Sequence, residues 1–144
     1  MSKRARIGVA VVFSLTAVVV AGCGAVGRVT ATDGSAAEGK VLFKANCGSC
    51  HTLANAGTTG TVGPDLDDAF GPDKEQGFHQ QTIRDVVRGQ IAYADSDPDT
   101  GTPQNPTPGM PANILRGQQA KDVAIYVALC AAAPHCNVHQ KPPF

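Results

Sequence analysis

Cys47-Gly48-Ser49-Cys50-His51 sets two thiols three residues apart and an imidazole directly after the second. On a helical turn, positions i, i+3 and i+4 share one face. That face presents two thiols to the two vinyl groups of a haem edge, and the adjacent imidazole reaches beneath the porphyrin to the iron. The C-x-x-C-H spacing is therefore read as c-type haem attachment. Iron held by a proximal His takes its function from what fills the other axial position. Much of the downstream sequence reads as supplying that second ligand and enclosing the haem.

Two other readings compete. A bare C-x-x-C can be a thioredoxin-like redox pair, but that motif follows a buried strand in a βαβ pattern. Here it follows a helical segment, and no βαβ pattern is visible. The pair could also be half of a zinc site. Apart from Cys23, the remaining cysteines are Cys130 and Cys136, spaced too widely for a knuckle.

The chain has 144 residues, enough for one small domain, and a formal net charge of zero. That balance conceals an asymmetry. Lys3, Arg4 and Arg6 belong to a removable leader, and without residues 1–22 nine basic residues face twelve acidic ones, a net of −3. No basic footprint of the kind nucleic acid requires is present. Aromatic residues are few and Trp is absent, so a domain this small draws much of its core from its cofactor.

Residues 1–22 read as an export signal. After the three basic residues comes a 14-residue apolar run over 7–20, too short to span a bilayer comfortably. It ends in Val20-Ala21-Gly22-Cys23. This tetrapeptide resembles a bacterial lipobox, in which the Cys receives a diacylglyceryl group and becomes the first mature residue. The competing reading is an uncleaved anchor extended to Val29 and interrupted by glycines. Either way the domain is tethered at the outer face of the cytoplasmic membrane. That compartment permits disulfides and is where c-type haem is attached.

Residues 23–34 are rich in small residues and read as a tether. Ser35 with Glu38 forms an S-x-x-E capping box that opens a helix. Val41, Leu42, Phe43 and Ala45 predict a mostly core-facing helix running into Cys47. Gly39 costs about 1 kcal/mol in a helix interior relative to Ala. It reads either as the site of close approach by another helix or as an exposed weak spot.

Gly39, Phe43 and Cys47 at four-residue spacing, followed by Cys50-His51, resemble the first helix of class I cytochromes c. In that family an aromatic from the C-terminal helix crosses the small residue, and Tyr126 within Ala124-Ile125-Tyr126-Val127-Ala128 matches it. The resemblance covers about residues 36–131. It implies an all-α cytochrome c fold, three to four short helices around one covalent haem c. It also gives Gly63-Pro64-Asp65-Leu66 a role. The Pro64 carbonyl would accept the Nδ1–H of His51, fixing its tautomer and raising its basicity. Leu66 would pack on the haem. The competing reading of this run is an ordinary turn.

The intervening segments read as follows. Residues 52–61 form a Gly/Thr/Asn loop, and Gly71-Pro72-Asp73 a turn. Ile83, Val86 and Val87 predict a short helix over 82–88, with Gly89 as its stop. Residues 92–109 form a long loop carrying Asp95, Asp97 and Asp99. This acidic run lacks the Gly and closing Glu of a calcium loop and reads as solvated. A last helix is expected over 118–133, with Ala120, Val123, Ala124, Val127 and Ala131 on its buried face and Pro134 ending it. A domain over 35–136 and a tail over 137–144 complete the organisation.

Met110 is the only methionine left once Met1 is removed, and it lies 59 residues after His51 beyond the long loop. Gly109 and Pro111 shape its backbone as in the Met loop of the resembling family. It is the expected distal iron ligand. The competing role is a core Met filling a gap. His79 is the chief rival ligand, with His135 and His139 in the tail behind it. Cys130 and Cys136 flank the helix-breaking Pro134, and a chain turning back there could pair them. Closing so small a loop is worth roughly 2 kcal/mol in the chain-entropy model. Two free thiols, or a metal site with His135 or His139, are the alternatives.

With His51 and Met110 both bound, the iron is six-coordinate and has no open position for substrate. The expected function is therefore single-electron transfer rather than catalysis, by a monomer or a subunit of a respiratory complex. A dehydrogenase or reductase complex would be the donor and an oxidase the acceptor, met through the small interface typical of electron-transfer encounters. A haem-based ligand sensor or catalytic haem protein is the alternative if the distal ligand is absent or displaceable. A tethered subunit of a larger oxidase or dehydrogenase is a third.

Overall fold

Ser35 starts the first helix as its sequence suggests: its hydroxyl accepts a hydrogen bond from Glu38 N at 3.2 Å. The reciprocal half of the capping box is made by a distant residue instead. Ser35 N donates to Asp122 Oδ1 at 2.8 Å, so the helix entrance is stapled to the C-terminal helix. The computed structural model describes residues 34–94 and 109–139. The expected leader over 1–22, Cys23 and the acidic run at Asp95, Asp97 and Asp99 lie outside the described residues.

Among the described residues, four helices and one minimal hairpin follow in order: α1 (Ala36–Asn46), β1 (Thr52–Leu53), a 3-10 turn (Ala54–Ala56), β2 (Thr58–Thr59), α2 (Leu66–Glu75), α3 (Gln80–Tyr93) and α4 (Gly117–Cys130). The fold is all-α apart from the hairpin, in which Thr52 pairs with Thr59 and Leu53 with Thr58. Among the described residues no helix is long and apolar enough to cross a membrane.

The core is built on α4, which packs against both α1 and α3. Ala120, Val123, Ala124, Val127 and Ala131 are buried as their spacing predicts, and Ile125, Tyr126 and Ala128 are buried too. A helix buried nearly all round belongs at the centre of a small domain. Its crossing with α1 occurs at Gly39. A Cβ added there would lie 2.6 Å from the Asp122 carbonyl carbon and 2.7 Å from Tyr126 Cβ. Only a residue without a side chain lets the two backbones meet. Beside the crossing, the Phe43 and Tyr126 rings pack edge to face with centroids 5.9 Å apart, a favoured aromatic geometry.

Several local expectations are corrected. The face that α1 buries is Ala36, Gly39 and Phe43, continued by Cys47, while Val41 is 64% exposed and Ala45 is also exposed. Helical spacing from Gly39 selects positions 36, 43 and 47, and leaves 41 and 45 on the other side. Residues 52–61 are the hairpin rather than plain loop. It is closed by Thr52 Oγ1 donating to Gly60 O and Leu53 N donating to Thr58 Oγ1.

Gly71-Pro72-Asp73 is no turn but lies inside α2. Pro72 removes one helical donor, yet the helix persists because both its ends are secured. Asp65 caps the start by accepting from Asp67 N and Asp68 N. Near its end, Lys74 donates to the Leu129 and Ala131 carbonyls.

Gly89 does not stop α3, which continues to Tyr93. Its buried stripe is Ile83, Val87 and Ile91, with Val86 46% exposed. The stripe extends past Gly89 to Ile91, so packing overrides the weak propensity of one glycine. The helix ends where Asn113, in a left-handed conformation (φ 57°), takes over its last carbonyls. Asn113 N donates to Ile91 O and its side chain to Ala92 O.

α4 ends at Cys130 rather than at 133, with Ala131 as C-cap and Ala132 left-handed (φ 54°). There the chain turns back into the Cys130–Cys136 disulfide, whose Cα atoms are 5.4 Å apart. Backbone groups of this corner find partners elsewhere: Ala132 N donates to Asp67 Oδ1 at 2.6 Å.

Candidate haem-binding site

The end of α1 leads directly into the candidate site. Cys47 N and Gly48 N both donate to Phe43 O, which closes the last turn of the helix. Cys50 N and His51 N then donate to Cys47 O at 3.0 and 2.9 Å. This is one further helical turn, and it sets Cys47, Cys50 and His51 at the i, i+3, i+4 relation read from the sequence. Cys47 is buried, and Cys50 and His51 are half-buried.

Burial first, and then the neighbouring Cys50, pushes the Cys47 thiol up to about 11. A reactive dithiol of the thioredoxin kind needs the opposite, a thiol pKa lowered toward neutrality. The buried Cys47 does not meet that demand, which weighs against the dithiol reading.

His51 Nδ1 lies 2.9 Å from the Pro64 carbonyl oxygen. A carbonyl only accepts, so this contact assigns the proton to Nδ1 and leaves the Nε2 lone pair available for a metal. The adjacent peptide is held as well, since Gly63 N donates to Cys50 O at 2.8 Å. Pro64 therefore occupies the position beside His51 that the resemblance implied. Leu66, Phe70, Met110 and Ile114 are partly buried and pack against the core cluster that also contains Cys47. Apolar side chains of this kind suit the faces of a porphyrin.

Three glycines let the 52–63 segment lie against the C-x-x-C-H turn. A Cβ on Gly60 would come within 2.6 Å of the Ser49 carbonyl group and the Cys50 carbonyl carbon, and one on Gly48 would meet Thr58 Cγ2 at 2.5 Å. A Cβ on Gly63 would lie 2.8 Å from His51 Nδ1 and 2.9 Å from Nε2. Reading the sequence assigned no role to Gly48, Gly60 or Gly63. The signal for Gly63 was its place directly before Pro64, where the chain must approach the imidazole. Nothing local marked Gly48 or Gly60, because Gly48 meets the hairpin at Thr58 and Gly60 meets the C-x-x-C-H turn at Ser49 and Cys50.

Asn55 and Asn113 were also missed. Tyr126 Oη donates to Asn55 Oδ1 at 3.0 Å, and Asn55 Nδ2 donates to the Pro134 and Cys136 carbonyls. Asn55 thus joins the hairpin to both the α1–α4 crossing and the disulfide corner. Burial, and then the charge of Asp67, holds the Tyr126 hydroxyl protonated well above the ordinary tyrosine range. Asn113 pins the chain three residues after Met110 to the end of α3. Of the rival ligands, His79 is the exposed N-cap residue of α3, and His135 and His139 are exposed in the tail.

A family model described as cytochrome c matches residues 36–129. No curated protein and no solved structure matches the chain. The matched segment is most of the sequence and runs from the first residue of α1 nearly to the end of α4. The chain belongs to the cytochrome c family. The family binds covalent haem c and uses it for electron transfer between redox proteins.

Proposed function

We propose that this protein is a single-haem electron carrier. Cys47 and Cys50 form the thioethers, His51 Nε2 binds the iron on one face, and Met110 binds it on the other. The observation that carries this reading is the 2.9 Å contact of His51 Nδ1 with Pro64 O, which presents Nε2 as a metal ligand. The haem supplies the one-electron couple, and the chain supplies its attachment, its axial donors and an apolar surround. Met110 is a soft, neutral donor that favours ferrous iron, so Met/His ligation raises the potential. Beside the site Val62 is 47% exposed, an apolar contribution to the small interface through which a redox partner would dock.

The working location we propose is the outer face of the cytoplasmic membrane, with residues 1–22 removed and Cys23 lipidated. The support is the short apolar run and the lipobox-like Val20-Ala21-Gly22-Cys23. A diacyl group plus an N-acyl chain gives the two or more buried chains that stable anchoring needs.

Met110→Ala tests the ligand set. The oxidised variant should lose the long-wavelength sulfur-to-iron band, show a lower potential and open the iron to carbon monoxide. If the wild type already lacks that band and binds carbon monoxide rapidly, the protein is a ligand sensor or a catalyst instead. Haem that leaves the wild-type polypeptide in acid acetone would overturn the thioether assignment.

A further inference from the structure

Asp67 spends both carboxylate oxygens on backbone far from its own helix. Oδ2 accepts from Ala54 N at 2.7 Å and Oδ1 from Ala132 N at 2.6 Å. It is not the cap of α2, because Asp65 fills that role. Nor is it simply a negative charge at a helix N-terminus, for which the exposed Asp68 beside it would serve equally well.

The position of these bonds gives Asp67 its meaning. His51 meets Pro64 across 13 residues, and Ala54 meets Asp67 across the same 13. Both pairs join the same two chain segments, each displaced by three residues. With Gly63 N donating to Cys50 O, also across 13 residues, they are three rungs of one short ladder, the middle one holding the imidazole and the outer two keeping it in register. The bond to Ala132 fixes the ladder to the corner closed by the Cys130–Cys136 disulfide. An ionised acceptor makes such bonds about twice as strong as neutral ones.

We infer that Asp67 is a positioning residue for the iron-binding imidazole: its carboxylate keeps the Pro64 carbonyl in place on His51 Nδ1. The inference rests on the proposed role of His51 as iron ligand. Its reporter is solvent exchange of the His51 Nδ1 proton, followed by NMR in the reduced, histidine-labelled holoprotein. Amide protons of Phe43 and Val127 in the core serve as the internal reference.

Asp67→Asn replaces an acceptor-only group with an amide that cannot serve both N–H donors. Ala54→Pro removes one of those donors at an exposed position outside the strand pairing, and decides the matter if the first variant does not accumulate folded. In both, His51 Nδ1 exchange should become about tenfold faster, the effect of one lost charge-assisted hydrogen bond. Core amide exchange should stay unchanged, and Asp68→Asn should leave the His51 proton as in the wild type. A rate that does not change, or that rises only in parallel with Phe43 and Val127, would overturn the inference and leave Asp67 as a stabilising residue alone. Wild-type His51 resonances without a haem shift would show instead that His51 is no ligand, and would remove both readings together.

Discussion

The α1–α4 crossing and the His51 side of the molecule are held by different physics. At the crossing, Gly39, Phe43, Tyr126 and the buried length of α4 fit by shape, with backbones too close to admit a single methyl group. Around His51 little is fully buried. Order there comes from hydrogen bonds between side chains and distant backbone, made by His51 with Pro64, by Asp67 and by Asn55. A shape-filled contact is intolerant of volume change but indifferent to charge. A hydrogen-bonded scaffold tolerates volume at its rim and fails when one acceptor is lost. The contrast suits an electron-transfer protein, because the crossing can supply stability while the proposed ligand side is set by direction.

The largest expected effect is at the crossing. Phe43→Ala removes a ring that is 1% exposed and should cost about 3–5 kcal/mol of unfolding free energy. Denaturant titration of the holoprotein measures it. Haem absorption should be retained wherever the variant is folded, and loss of the axial ligands in the folded variant would break the division between the two regions.

Gly39→Ala forces a methyl group against the Asp122 backbone, which has no flexible end to yield. It should cost about 1–3 kcal/mol by overpacking, even though Ala is the better helix former by about 1 kcal/mol. An unchanged or raised melting temperature would show that the helices separate freely.

On the other side, the double substitution Cys130→Ser with Cys136→Ser should cost roughly 2 kcal/mol. It should also speed local exchange at the 130–136 corner and the 52–60 hairpin more than at Phe43. Uniform acceleration would mean that the corner belongs energetically to the crossing.

The smallest effect sharpens the boundary, because Tyr126 belongs to both regions. Its folded pKa is raised above the ordinary value of 10.0, chiefly by burial. Its contribution to stability is therefore complete below that pH and declines as pH rises past it, since only the unfolded chain then releases the proton readily. Thermal melts of the wild type should fall more steeply above pH ~10 than those of Tyr126→Phe. Equal slopes would show that the hydroxyl is not sealed between the ring pair and Asn55.

Spacing along the chain settles the elements whose information is local. The C-x-x-C-H spacing, the Ser35 start of α1 and the i, i+3, i+4 stripe of α4 were all legible. Each depends on residues within a turn or two of one another, where spacing alone dictates which groups share a face. Everything settled by distant partners waited on the fold. Pro72 sits in a helix because Asp65 caps one end while carbonyls at the end of α4 bind Lys74 at the other. Gly89 is passed over because the stripe of α3 continues to Ile91 against α4. Asp122, rather than Glu38, completes the cap at Ser35. Asp67, Asn55 and the glycines at 48, 60 and 63 acquire roles only from atoms brought to them by the fold. A hydrogen bond or a close approach is a property of a pair, and when its members lie tens of residues apart neither one's neighbours in the chain can announce it.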